Sequence, residues 1–489
     1  MLRELNAPEW NMERLNRRSN GAGRVYHAAL VRGPLSMARL REALHVLQRC
    51  HPLLRARVVR LGDSHDASLA FVESRHVVPL REVLVQDPGR DWPAAVEADM
   101  NLGPSPSWTG AFRAMCIEPV GAGPGELAER VLVLGGPHSC CDATSLASLM
   151  TEWLRGLAGE DLGPSRALVS STSPFTIEVD GGALAEVEDL RRALGSWRRE
   201  RGAFREAELE RLHAKALRLE DRLLALSDGP ARPRALLEVQ SWLDRLSGWS
   251  ERLAFVAPEE RVPVGDERAE HVGTGLLVRS LDEGSSARLF AACARRGLTV
   301  HASLGAASHR AFMARQREQE AGSRDAVRAG TPVDMRPYLT PSRSPGDLCL
   351  AAEVILTTTP VRESDSFWDV ARAFGGAVTE RVRRGRHLAA WHRAARRDRR
   401  RAAGGMPLLL VSNTGRSRSA ERYGELEVLR LQSAMATHGM FQINLLCTTF
   451  RGRLGACFYY ERPTVSRASM QRFADHAFYE LAHCSTHAV

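Results

Sequence analysis

Residues 131–145 read VLVLGGPHSCCDATS. The apolar run Val131-Leu132-Val133-Leu134 has the length and composition of a buried strand, and Gly135-Gly136-Pro137 reads as the break that ends it. His138 follows, and Asp142 stands four residues later. Leu146, Leu149, Met150, Trp153, Leu154 and Leu157 then recur at helical spacing. His138 is therefore expected at the mouth between a strand and a helix, where rigid elements hold a side chain that stays open to a ligand.

The segments before this stretch have the same character. Val25 to Val31 predicts a strand, and Pro34-Leu35-Ser36 leads into a helix with Leu40, Leu44 and Leu47 on one face and Ser36 as N-cap. That helix should stop before Cys50-His51-Pro52, since a residue preceding proline disfavours the helical region. His51 is read as a structural residue of the turn, because no acidic or nucleophilic partner is near it in sequence. Ser68 to Glu73 and Trp108 to Ile117 predict further strands, and the polar, turn-rich residues 163–182 mark a boundary.

From Leu184 to Leu226 the chain is dominated by Arg, Glu, Leu and Ala. Leu190, Leu194 and Trp197, then Phe204, Leu209, Leu212, Leu219 and Leu223, keep helical spacing, which predicts one long helix or, broken at Gly202, a helical hairpin. A shorter helical stretch spans Ala235 to Phe255, and the charges here are read as a solvated face. A second unit then begins with a strand at Gly275 to Arg279 and helices at Ser285 to Arg296 and Thr299 to Arg315. Thr331 to Pro337 reads as a short strand ending in a turn, Ala352 to Thr358 as a strand, and Phe367 to Arg384 as an amphipathic helix. The arginine-rich residues 381–401 read as a solvated face or loop, or functionally as a landing patch for an acidic carrier or phosphate group. Leu408 to Val411 predicts a strand ending in Ser412-Asn413-Thr414-Gly415. Phe441 to Phe450 and Leu454 to Glu461 form a hairpin around Arg451-Gly452-Arg453, and Arg467 to Ala482 is a closing helix.

A chain of 489 residues is too long for one ordinary core. The expected division is an N-terminal lobe at 1–182, a helical insertion at 183–256 and a C-terminal lobe at 257–489. Nine scattered cysteines argue against a disulfide framework, and Cys140-Cys141 lacks zinc-site spacing. The formal charge of +9 is carried almost wholly by arginine, Lys215 being the only lysine. Such a surface suits an acidic partner; a nucleic-acid reading has no recognition motif to support it. No membrane span and no signal-peptide core are found, so a cytoplasmic protein is expected.

Four places in this order carry a resemblance. Leu44 to Arg55 (LHVLQRCHPLLR), Pro137 to Ala143 (PHSCCDA), Pro332 to Pro337 (PVDMRP) and Ser412 to Gly415 (SNTG) resemble motifs of the chloramphenicol-acetyltransferase-like superfamily. Within it the chain is most similar to nonribosomal peptide synthetase condensation domains and polyketide-associated acyltransferases. PHSCCDA matches the His-His-x-x-x-Asp-Gly motif at its second His and its Asp, with Pro137 in place of the first His and Ala143 in place of the Gly. The resemblance implies an α/β fold of two chloramphenicol-acetyltransferase-like lobes with mixed sheets, V-shaped, and an active-site tunnel between them. It implies His138 as base, and Asp142 turned away from it and paired with Arg336 as structural support. It also implies Ser412, Asn413 and Gly415 as substrate-binding residues.

The residues agree with that chemistry. Acyl transfer from a thioester needs a base near the acceptor and donors for the tetrahedral oxyanion, and histidine is the natural base near neutral pH. His438 is a further tunnel candidate, more simply read as a loop histidine. An HxxxD pair could share a metal, but no third ligand is near in sequence and no metal is expected. The expected function is transfer of an acyl or aminoacyl group from an acyl-phosphopantetheine thioester, on an acyl carrier protein or coenzyme A, to a small-molecule hydroxyl or amine. The alternative is a non-catalytic condensation-fold protein that binds a carrier protein or recruits a partner.

Overall fold

The computed structural model describes residues 2–18, 23–62, 68–103, 112–123, 125–166, 181–199, 206–226, 235–243, 246, 273–318, 325–395, 409–436 and 441–484. The first part carries β1 (Arg3–Glu4), α1 (Ala7–Arg18), β2 (Arg24–Pro34), α2 (Met37–Cys50), β3 (Ala56–Leu61), β4 (Ser68–Glu73), β5 (Leu80–Val85), α3 (Pro88–Met100), β6 (Arg113–Pro119), β7 (Leu127–Pro137) and α4 (Ala143–Leu157). Helices α5 (Gly181–Arg199), α6 (Glu206–Ala225) and α7 (residues 235–243) follow. The remainder carries β8 (Gly273–Ser280), α8 (Glu283–Arg295), α9 (Val300–Glu318), β9 (Ala326–Asp334), β10 (Ala352–Pro360), α10 (Phe367–Arg383) and α11 (Arg386–Ala395). It ends with β11 (Leu409–Arg416), β12 (Arg422–Tyr423), β13 (Leu426–Met435), β14 (Ile443–Phe450), β15 (Arg453–Arg462) and α12 (Arg467–His483).

The opening stretch lies in the middle of the first sheet, whose order is β12-β13-β2-β7-β6-β5. β7 pairs antiparallel with β2 from Arg24↔Pro137 to Pro34↔Leu127, and with β6 from Ile117↔Val131 to Arg113↔Gly135. Val131 to Leu134 are buried on both faces, which is why the run is uniformly apolar rather than alternating. The reading of Gly135-Gly136-Pro137 as a break is corrected, because all three lie inside β7. A Cβ on Gly135 would fall 2.8 Å from the Tyr26 ring, and one on Gly136 2.4 Å from the Phe112 ring. The glycines let aromatic rings lie against the strand.

α2 starts as its sequence predicts, with the Ser36 hydroxyl accepting from the Arg39 N–H at 3.3 Å and Leu40, Leu44 and Leu47 buried. α5 and α6 are separate helices, and with α7 they enclose their own core of Val187, Leu190, Leu219, Leu223, Leu236 and Leu243. Of the predicted features, Trp108, residues 167–180, the Trp197 side chain, Phe204, residues 247–255, residues 396–401 and His438 lie outside the described residues.

The second sheet has the order β10-β9-β11-β14-β15-β8, with β11 parallel to β9 and β14 and its other pairs antiparallel. Alternate residues serve two cores. Leu276, Leu446, Cys457 and Tyr459 join the core of the first sheet, while Leu277, Leu445, Cys447, Phe458 and Tyr460 pack with α8, α9, α10 and α12. The architecture is thus α/β in two sheet-rich lobes; both six-stranded sheets are mixed, and β1, β4 and β3 form a small antiparallel sheet.

A crossover strand joins the two lobes. β13 leaves the second lobe and pairs with β2 along Glu427↔Arg32 to Met435↔Val25, so residues 422–435 belong to the first sheet although they lie beyond position 257. Ser412 to Gly415 are also placed differently from expectation. They do not follow a strand but continue β11 to Arg416, with a register shift between Asn413 and Arg416 and Gly415 at φ 75°.

Candidate active site

β7 and α4 meet in a tight turn. The Pro137 carbonyl accepts from the Cys140 and Cys141 N–H groups at 2.8 and 3.2 Å, and the His138 N–H donates to the Gly23 carbonyl at 2.7 Å. β6 has already ended opposite Gly135, so His138 emerges where the sheet is one strand narrower. Its side chain is half-buried. Nδ1 lies 2.8 Å from the Cys141 carbonyl oxygen. A carbonyl only accepts, so in the neutral ring Nδ1 carries the hydrogen and Nε2 keeps its lone pair. Burial holds the imidazole below its ordinary pKa of 6.5, against the smaller opposing effects of the Cys141 carbonyl and the Asp142 charge. At neutral pH the ring is uncharged, with its tautomer fixed by the Cys141 carbonyl.

Asp142 is the N-cap of α4. Its Oδ1 accepts from the Ser145 N–H at 2.9 Å, and the Ser145 hydroxyl accepts from the Asp142 N–H at 3.1 Å. The same carboxylate receives two arms of Arg336, Nη2 to Oδ1 at 2.8 Å and Nη1 to Oδ2 at 2.9 Å. The Ala351 N–H adds a bond to Oδ2 at 3.0 Å. Burial alone would raise the Asp142 pKa, but the Arg336 charge and these hydrogen bonds outweigh it and hold the carboxyl below 3.8. Arg336 sits just after β9, and its Nη1 also reaches Asp334 at 3.1 Å. Residues 336–351 of the second lobe thus lie along α4 of the first, with the Ser145 hydroxyl donating to the Cys349 carbonyl at 3.2 Å.

Two neighbours of this site have no signal in the local sequence. Glu13 of α1 accepts from the Ser139 hydroxyl at 3.1 Å, beside His138. His51 does have an acidic partner: Glu152 of α4, 101 positions away, lies 2.7 Å from its Nε2. Arg166 completes that group, donating to Glu152 at 2.7 Å and to the Gly346 carbonyl at 2.7 Å. His51 therefore belongs to a second tie between the lobes. Cys140 and Cys141 are buried, and burial pushes both thiols far above the ordinary 9.0, which leaves them poor nucleophiles.

Ser412 and Asn413 are half-buried on β11. Asn413 Oδ1 accepts from the Gly415 N–H at 2.9 Å, and the Thr414 hydroxyl donates to the Cys447 carbonyl at 3.0 Å. These bonds build the bulge. The motif is joined to Asp142 and Arg336 by no hydrogen bond among the described residues. Nor do the described residues bring together a group of three or more His, Cys, Asp and Glu able to hold a metal ion, and no helix among them is long and apolar enough to cross a membrane.

Residues 277–456 match the family described as phthiocerol/phthiodiolone dimycocerosyl transferase C-terminus. No curated protein sequence matches the chain. Its fold is similar over 99% of its length to polyketide synthase associated protein 5 from Mycobacterium tuberculosis, with 98% of that chain covered, 12% identity and a TM-score of 0.61. It is similar in the same way to the first condensation domain of the CDA synthetase, with 99% and 96% coverage, 14% identity and a TM-score of 0.62. A third likeness is to trichothecene 15-O-acetyltransferase from Fusarium sporotrichioides, with 99% and 95% coverage, 11% identity and a TM-score of 0.60. The chain has a condensation-domain-like fold.

Proposed function

We propose that the protein transfers an acyl group from a phosphopantetheine thioester, carried by an acyl carrier protein or coenzyme A, to a hydroxyl or amine of a small acceptor. The observation that carries this reading is the His138 ring, whose Nδ1–H is committed to the Cys141 carbonyl and whose Nε2 lone pair is thereby available. Nε2 takes the proton of the acceptor O–H or N–H as that atom attacks the thioester carbonyl. The tetrahedral oxyanion then collapses, the C–S bond breaks, and the imidazolium returns the proton to the departing thiolate. The products are an ester or amide and a free thiol, with no covalent enzyme intermediate. Asp142 and Arg336 hold the turn that carries His138 and touch neither reactant. Ser412, the amide of Asn413 and the backbone at Gly415 are assigned to the thioester, a role favoured by their partial exposure on β11. The match to a transferase family over residues 277–456 and the fold likeness to an acetyltransferase support the class of reaction.

The test is incubation of the purified protein with acyl-coenzyme A and acyl-pantetheine pools and a set of alcohols and amines, reading free thiol and acylated acceptor by mass spectrometry. Thiol release that depends on an acceptor supports the reading. Acyl-carrier binding with no product in any pool would replace it with a non-catalytic carrier-binding role.

A further inference from the structure

The α5–α7 unit is not a free appendage. Glu220 of α6 is fully buried, and its carboxylate receives Arg384 Nη1 at 2.9 Å, Arg386 Nη2 at 3.0 Å and Gln240 Nε2 of α7 at 2.9 Å. Arg386 Nη1 also donates to the Gln240 carbonyl at 3.3 Å. The two arginines flank Gly385, whose φ of 70° turns the chain from α10 into α11. A buried carboxylate bonded this way fixes the insertion to that turn.

α11 in turn covers the segment that holds the site. Leu388 and Trp391 pack with Met335, Leu339 and Ala351, the residues around Arg336, and the Tyr338 and His387 rings meet edge-on with centroids 4.5 Å apart. The Met335 N–H donates to the Ala351 carbonyl at 2.7 Å, while the Ala351 N–H donates to Asp142. Contact is therefore continuous from Glu220 through α11 to the Arg336–Asp142 pair.

We infer that the helical insertion is a brace for the active-site turn, and that Glu220 is a positioning residue acting through Arg386 and α11 on Arg336. The acyl-transfer reading enters only in identifying the turn as the site. The test is hydrogen exchange of backbone amides in the full chain, comparing wild type with Glu220→Ala and with the joint Glu220→Leu, Arg386→Met variant. Glu220→Ala should speed exchange at Met335 and Ala351 by roughly 5-fold or more, the low end of ordinary coupling between sites, while amides of β14 and β15 stay as protected as in wild type. The joint variant replaces the buried pair with apolar side chains, which often preserves packing, and should return Met335 and Ala351 toward wild-type exchange. In turnover assays Glu220→Ala should lower kcat with KM little changed. Faster exchange confined to residues 206–226, or spread evenly over the whole chain, would overturn the inference. Because exchange is read without substrate, loss of the acyl-transfer reading and loss of the brace are separable results.

Discussion

Arg336 grips Asp142 across 194 positions of sequence with two parallel bonds of 2.8 and 2.9 Å, both side chains buried. The pair joins the second lobe to the first at the start of α4, four residues after His138. Asp142 is thereby a scaffold residue in geometry, its oxygens occupied by Arg336, Ser145 and Ala351.

Removing one partner of this pair leaves a buried charge unmatched. Asp142→Ala should lower stability by ~3–5 kcal/mol, read as a shift in the urea midpoint. The pH dependence has a definite sign. The folded Asp142 pKa lies below its ordinary 3.8, so its contribution is fully present above that value and is lost as pH falls through the depressed one. Wild type should lose stability faster than Asp142→Ala on acidification below pH ~3.8; parallel acid titrations of the two proteins would contradict the pairing.

Three other histidines act at higher pH. Burial pushes His27, His301 and His309 down to about 4 from 6.5. The folded state then binds fewer protons than the unfolded chain between these values, so stability should rise with pH from about 4 to 6.5. Denaturant unfolding at intervals across this window reads the slope, and His309→Gln should flatten it. An unchanged slope in that variant would remove His309 from the account.

Two glycines should respond to alanine in opposite directions. Gly136→Ala puts a Cβ 2.4 Å from the Phe112 ring and 2.9 Å from the Cys141 sulfur, and overpacking of this kind costs ~1–3 kcal/mol. Gly376 lies inside α10 with nothing within 4 Å of its would-be Cβ, so Gly376→Ala should gain about 0.5–1 kcal/mol. Thermal midpoints of the two variants check both.

The local elements were legible where one periodicity dominated. α2 with its Ser36 cap, the β14–β15 hairpin and the amphipathic α10 follow from spacing and turn residues alone. The Asp142–Arg336 tie came through motif resemblance, since spacing says nothing about partners so far apart. What stayed hidden is non-local. Nothing near Leu426–Met435 announces a strand that crosses to β2, because which sheet a strand joins is decided by tertiary pairing. His51 has no partner near it in sequence, and only the fold brings Glu152 to it. Pro93 inside α3 and the polar composition of α1 obscured two helices, one of which supplies Glu13 beside the site. Gly135 and Gly136 read as a break because a glycine accommodating an aromatic ring looks in sequence like a glycine making a turn.

The role of His138 is tested by the rate of acyl transfer by His138→Ala beside wild type, followed from pH 5 to 8 with a thioester donor and an acceptor that wild type uses. The variant should lose ~10²–10⁴ in rate. The wild-type acid limb should have its midpoint below 6.5, since the half-buried ring is held below its ordinary pKa. A variant that forms product as fast as wild type would contradict the assignment of His138 as the base.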